Sequence, residues 1–316
     1  SANSVLDRFQ GKDAPVQRTL FEVFREHNDK CVQLSGTDMA PATVQRYETS
    51  LKHTRDFVWE TYHKKDVLLD EVSRQFIEDY EFWLKTEKKC CHNTATKYLK
   101  NFKKITRIAL AKGWMKNDPF LEIRFSLDKV EPDFLEDSEI QKLISKEIDI
   151  PRLSQVRDIF VFCCFTGLAF SDIHGLRKEH IVEDSNGVRW IRKGRQKTKI
   201  MCNIPLIEIP LKILEKYSTN EYCKKHGVLF PVLCNQKMNA YLKELADICG
   251  IKKTLTTHVG RHTFATFALA NGVSIESVAK MLGHTNVQMT RHYARVLDRT
   301  VIREMSQIKM DLHFSM

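Results

Sequence analysis

The 316-residue sequence contains no apolar run near the roughly 18 residues that a membrane helix needs. Its first thirty residues also lack a basic start followed by an apolar stretch and a small-residue cleavage site. No membrane partner is therefore expected, and the chain reads as cytoplasmic. Glycine (12) and proline (8) are scarce, which excludes collagenous and low-complexity classes. The nine cysteines are odd in number, include two adjacent pairs and contain no C-x-x-C. Neither a disulfide framework nor a thiolate zinc site fits them, and they are expected to be reduced and mostly buried. Two stretches lack acid altogether. Residues 88–116 hold nine Lys or Arg and residues 187–203 hold six, with no Asp or Glu in either. Together with a net charge of +10, these blocks point to a polyanionic partner.

Helical periodicity is what the chain has in abundance. Apolar residues recur at helical spacing in 18–35 (Leu20, Phe21, Phe24, Val32), 43–61, 73–86 and 94–112, giving four helices before residue 115. On the last of these, Tyr98, Phe102, Ile105 and Ala109 share one side, while Lys97, Lys100, Lys104 and Arg107 share another. One face packs and the other is suited to follow a phosphate backbone. Pro119 and Pro132 break the pattern, so we expect a helical domain over 1–125 and a second domain over 126–316. In the latter, 157–165 is apolar almost all round and reads as a core helix. Residues 187–205 read as a β-hairpin around a basic, glycine-containing turn. Helices are expected again near 210–217, 237–249, 261–270 and 274–281, and from 296 onward. The fold class is mainly α, with a small β-sheet in the second domain.

One constellation carries chemistry. His258 and Arg261 stand three apart at a helix start, Leu282-Gly283-His284 follows, and Tyr293 lies nine residues beyond His284. In order and spacing this resembles the C-terminal motif of the tyrosine recombinases, the phage-type integrases. Thr166-Gly167-Leu168, with Asp172-Ile173 beyond it, resembles the family's T-G-L-R-x-x-E/D-L segment. Gln196-Lys197-Thr198, followed by Asn203-Ile204-Pro205-Leu206, resembles its hairpin with the catalytic lysine. The four-helix N-terminal part is similar to its SAM-like core-binding domain. The wording of the segments most resembles the integrases of conjugative transposons from Bacteroides-type bacteria. Those carry a further arm-binding domain, here expected to be absent or cut away before Ser1.

The resemblance implies a site-specific recombinase of a mobile element that cleaves and rejoins strands through a 3′-phosphotyrosine. It implies double-stranded DNA as partner, a homotetramer on synapsed DNA, a monomer free in solution and DNA-bending accessory proteins. No metal and no cofactor are implied, and the setting is a bacterial nucleoid. Physical chemistry supports the residue types. A phenol of pKa about 10 is a poor nucleophile, so Tyr293 needs His258 to accept, share or position its proton. Arg261 offers two parallel donors to phosphate oxygens, and His284 supplies another donor. Lys197 on a hairpin tip can protonate the 5′-oxygen leaving group, while Asp172 matches the family's acidic position, which the resemblance implies orients the site. Arg192, Lys193, Arg195 and Lys199 are expected to contact phosphate.

One departure stands out: where the family has its first arginine, this chain has Ala169. Arg157, twelve residues earlier, lies about 18 Å away along a straight helix and cannot fill the slot from that face. Arg177, Lys178, Arg192, Lys193 and Arg195 remain as substitutes. Three alternatives follow from the residues: a zinc pair at His258 and His262, a type IB topoisomerase or telomere resolvase, and a catalytically weakened DNA-binding relative. Past Tyr293 the apolar series Val301, Ile302, Met305, Ile308, Met310, Leu312 and Phe314 either packs within the chain or, as the resemblance implies, docks on a neighbouring protomer.

Overall fold

The computed structural model describes residues 17–293 and Met305. The expected helix from 296 onward and its apolar series therefore lie outside the described residues, except Met305, which is exposed. Two compact units divide the chain, residues 1–130 and 131–316.

The first unit is built on α1 (Leu20–Gln33), α2 (Pro41–Tyr62), α3 (Arg74–Thr86) and α4 (His92–Ala111). Each start has a local cause. The Thr19 amide donates to Glu22 Oε2 at 3.1 Å ahead of α1. Pro41, whose missing N–H costs nothing in a first turn, opens α2. Ser73 Oγ accepts from the Phe76 amide at 3.3 Å to cap α3. An aromatic core joins the helices: Phe57 meets Phe76 and Tyr80 with centroids 5.1 Å apart, and Phe102 packs against Tyr80 and Phe120. Each such ring contributes on the order of 1.5–3 kcal/mol by leaving water. Helix α4 buries Leu99, Phe102, Ile105 and Ala109 and half-buries Tyr98, whereas Lys97, Lys100, Lys104 and Arg107 are all exposed.

The second unit starts with α5 (Asp137–Ser145) and α6 (Pro151–Thr166). Every residue of α6 from Asp158 to Thr166 is buried, so it forms the axis of the unit. The one buried charge there, Asp158, accepts from Arg157, from Lys216 Nζ at 2.6 Å and from the Tyr217 hydroxyl at 3.0 Å. After α7 (Phe170–His174) comes an antiparallel sheet of β1 (Ile181–Glu183), β2 (Arg189–Gly194) and β3 (Met201–Pro205) in that order. Ile191 pairs with Ile204 and Lys193 with Cys202. Then follow α8 (Glu208–Tyr217), α9 (Glu221–His226), α10 (Asn235–Ile248), α11 (Thr257–Ala270), α12 (Ile275–Leu282) and α13 (Gln288–Arg291). The hairpin expected from sequence is thus two strands of a three-stranded sheet. Strand β1 and helices α7, α9 and α13 are too short to show a period.

Two glycines shape what lies between these elements. Gly167 ends α6 at φ 67°, where an added Cβ would come within 2.4 Å of Phe264 Cδ1. Gly283 ends α12 at φ 62°, where a Cβ would meet Arg195 Cδ at 2.6 Å and Cys202 Sγ at 2.7 Å. Both positions need the left-handed region and a bare Cα. Both helix ends thereby come close to a common point.

Candidate active site

That point is the Arg261 guanidinium. Arg261, in α11, is 3% exposed. Its Nη1 donates to the Gly167 carbonyl at 2.6 Å, and its Nη2 donates to the Leu282 carbonyl at 2.6 Å. These are carbonyls at the ends of α6 and α12, where unpaired C=O groups and the negative ends of two helix dipoles attract a cation. Burial nonetheless pushes the Arg261 pKa down, and Arg195 adds to the effect. Two guanidiniums close enough to repel each other in a buried site favour an anion between them.

Arg195 follows β2 and is 9% exposed. Its Nε lies 3.5 Å from Asp172 Oδ2, and its Nη1 donates to the Gly283 carbonyl at 3.5 Å. Both contacts are long, and among the described residues Nε makes no hydrogen bond of good geometry. Arg195 is therefore far less saturated than Arg261. Asp172, in α7 and 2% exposed, also accepts the Gln196 amide at 2.8 Å. Its carboxylate thus braces the turn that carries Lys197. Thr198 Oγ1 ties the same turn to the Gly283 carbonyl at 3.4 Å.

His284 sits directly after Gly283. Arg261 Nη2 donates to its Nε2 at 3.1 Å, and its Nδ1 stands 2.8 Å from Thr290 Oγ1. An arginine can only donate, so Nε2 must accept and Nδ1 must carry the proton. Burial, reinforced by Arg261 and Arg195, lowers the His284 pKa to about 4. The donor role expected for His284 toward phosphate is therefore not the state seen here. His258 is exposed on its outer side and packs edge-on to His262 with centroids 4.3 Å apart. Partial burial, then Arg261, Arg195 and Lys197, push its pKa down, leaving a neutral ring able to accept a proton. As for zinc at His258 and His262, no group of three or more potential metal ligands occurs among the described residues.

Tyr293, at the end of the described chain, is 9% exposed. Its ring lies 5.0 Å from His262 and 6.1 Å, nearly parallel, from His284. Burial raises the phenol pKa, while Arg261, by charge and by hydrogen bond, and Arg195 oppose the rise. Tyr293, Arg261, His258, His284, Arg195 and Asp172 are thus brought together, with Lys197 close enough to affect His258. The other cations behave differently. Lys193 Nζ donates to the Gly175 carbonyl at 3.0 Å and lies 3.5 Å from His180 Nε2, so it braces β2 against the loop after α7. Arg192 and Lys199 are exposed on the hairpin. In the first unit, Lys104 Nζ donates to the Tyr47 hydroxyl at 3.0 Å. Arg157 bonds the Lys146 carbonyl at 2.7 Å and is committed elsewhere. Sequence reasoning did not single out Thr290. Its only signal is a hydroxyl three residues before the tyrosine.

Comparison with known proteins points one way. The profile described as "Phage integrase SAM-like domain" matches residues 19–129, and that of the "Phage integrase family" matches residues 133–300. A tyrosine recombinase of Pseudothermotoga lettingae is 29% identical over 265 residues, which cover 81% of this chain and 88% of that protein. The fold is similar to that of lambda integrase (75-356), a dimer bound to a COC′ core site, with a TM-score of 0.70 and 16% identity, covering 94% of this chain and 100% of that one. It is also similar to the Tn1549 transposon integrase in complex with a circular intermediate DNA, with a TM-score of 0.69 and 18% identity, covering 92% and 99% of the two chains.

Proposed function

Because the chain belongs to the phage integrase family and is a tyrosine recombinase acting on DNA strands, we propose that it excises or integrates a mobile element through a 3′-phosphotyrosine intermediate. The observation that carries this reading is a buried Tyr293 whose ring lies 6.1 Å from that of His284, itself bonded to the buried Arg261, with Arg195 in the same cage. In the proposed step the Tyr293 oxygen forms a bond to the scissile phosphorus and the bond from phosphorus to the 5′-oxygen breaks. The phenol proton passes to His258, and Lys197 delivers a proton to the departing 5′-oxygen. Arg261 and Arg195 stabilise the charge that gathers on the non-bridging oxygens. A phosphodiester is exchanged for a phosphotyrosine ester of similar energy, so rejoining needs no ATP.

In this reading Arg195 takes the place of the arginine replaced by Ala169. It reaches α7, the helix that Ala169 caps, through Asp172. The catalytically weakened alternative loses its main support once a second buried guanidinium stands in the cage. We read 1–125 as the DNA-gripping part, with Lys97, Lys100, Lys104 and Arg107 toward phosphate, and 126–316 as the catalytic part. The proposed assembly is a homotetramer on two synapsed duplexes, as the family resemblance implies; the similar lambda integrase structure is a dimer bound to a core site. The affinity to conjugative-transposon integrases rests on motif wording.

A substrate nicked beside the cleavage site tests the chemistry. The wild-type protein should trap covalent DNA, and Tyr293→Phe should bind the same DNA with no adduct. An adduct that survives Tyr293→Phe overturns the reading. Strand exchange between two duplexes, measured beside supercoil relaxation, separates a recombinase from a topoisomerase.

A further inference from the structure

We propose that Thr290 is a positioning residue that holds the His284 ring in either proton arrangement, and so lets its proton change places when DNA arrives. The inference rests on the catalytic reading above and concerns a residue that reading does not use.

Thr290 is fully buried in α13, only three residues before Tyr293. It touches both halves of the site. Its Oγ1 lies 2.8 Å from His284 Nδ1, and its carbonyl accepts the Tyr293 amide at 2.9 Å. Because Arg261 occupies Nε2 as a donor, the Thr290 hydroxyl must accept from Nδ1–H in the DNA-free protein. In this state the ring is saturated by protein groups and offers nothing to a phosphate.

A phosphate oxygen between the cations changes what Nε2 must do. An anion draws Arg261 Nη2 away, and Nε2 is then useful only with a proton on it. A neutral ring meets that demand by losing the Nδ1 proton to water as Nε2 takes one from water, with no change in total protons. Nδ1 is then an acceptor, and the Thr290 hydroxyl, which can donate as readily as it accepts, turns its hydrogen toward the ring. Valine has the shape of threonine and neither capacity. The ring plane also stays fixed, because the same pair of atoms makes the bond in both states. Thr290 therefore couples the imidazole to the turn that carries the nucleophile.

Nitrogen-15 spectroscopy of the His284 imidazole, with cleavage of the nicked substrate, tests this. The DNA-free wild type should show the Nδ1–H tautomer. The complex of Tyr293→Phe with uncleaved DNA should show Nε2–H. In Thr290→Val, Arg261 still holds Nε2 and the DNA-free ring should keep Nδ1–H, but Nδ1 then has no partner in either proton arrangement, and the first-order cleavage rate should fall about 10- to 100-fold with half-site affinity unchanged. Thr290→Ser should restore the rate, and thermal melting separates a folded but slow Thr290→Val from an unfolded one. If Thr290→Val melts early, the Thr290→Ser rate and the wild-type tautomers decide. A single tautomer with and without DNA, or a folded Thr290→Val cleaving at the wild-type rate, overturns the inference. Loss of the adduct in wild type as well would instead sink the catalytic reading and leave the tautomer result standing.

Discussion

Arg195 and Asp172 face each other across 3.5 Å from Nε to Oδ2, both buried and brought together from a hairpin and a five-residue helix. The same carboxylate holds the Gln196 amide, so one acid fixes both the guanidinium and the turn with Lys197. This pairing makes Arg195 part of the cage and sets it apart from the exposed cations of the hairpin. Replacing Arg195 with Ala should slow covalent trapping by about 10²–10³, the usual cost of one oxyanion donor, while half-site binding stays within a few-fold. Single-turnover trapping beside a gel-shift titration measures both. A parallel loss of affinity would show a phosphate anchor only.

Lys197 and Lys193 should separate cleanly. Lys197→Ala should slow cleavage at an ordinary 5′-oxygen but act almost normally on a 5′-bridging sulfur, because a thiolate leaves without needing a proton. Lys193→Ala should weaken both substrates alike and lower the melting temperature, since its ammonium bonds the Gly175 carbonyl. Equal rescue of the two variants by sulfur would remove Lys197 from its assigned role.

Gly283→Ala should be costly for a backbone change of one methyl group. Its φ of 62° is left-handed, and the new Cβ would strike Arg195 Cδ and Cys202 Sγ. Left-handed strain of about 1–2 kcal/mol and overpacking of about 1–3 kcal/mol both act. Chemical denaturation should show a loss on the order of 2–5 kcal/mol, along with slower cleavage. A melt unchanged from wild type would count against the tight fit of Gly283 on Arg195.

Stability should depend on pH through histidines. His284 is lowered to about 4, and His258, His27 and His53 are lowered as well, mainly by burial. Between about pH 4 and 6.5 the unfolded chain then binds more protons than the folded one, so stability rises with pH. The contribution is present above pH 6.5 and is lost as pH falls toward 4. Thermal melts should drop steadily from pH 6.5 to 4.5, and less steeply in His284→Gln. A flat profile over that window would contradict a neutral, buried imidazole.

Binding by the first unit should follow counterion release. Removing Lys97, Lys100 or Arg107 singly should weaken every duplex alike and reduce the slope of log affinity against log salt by about one. A change confined to one DNA sequence would indicate base contact instead.

Much of this site was legible because its signals are local. His-x-x-Arg, Leu-Gly-His and the tyrosine lie within 36 residues, and the amphipathic pattern of α4 places its basic face correctly. The choice among the substitutes for the missing arginine was not legible. Six cations crowd residues 187–203, and only strand register and the turn after Gly194 decide that Arg195 points inward while Lys193 reaches Gly175. Strand β1, three residues long, has no period to read. The proton position on His284 is set by Arg261, 23 residues earlier, and matched by a hydroxyl in a four-residue helix.

The grip of Arg261 on the Gly167 and Leu282 carbonyls has a practical side. Anyone wanting an inert but properly folded protein should leave this arginine alone, since removing it unfastens two helix ends along with any chemistry. Deleting a single oxygen at Tyr293 is the gentler way to silence the molecule.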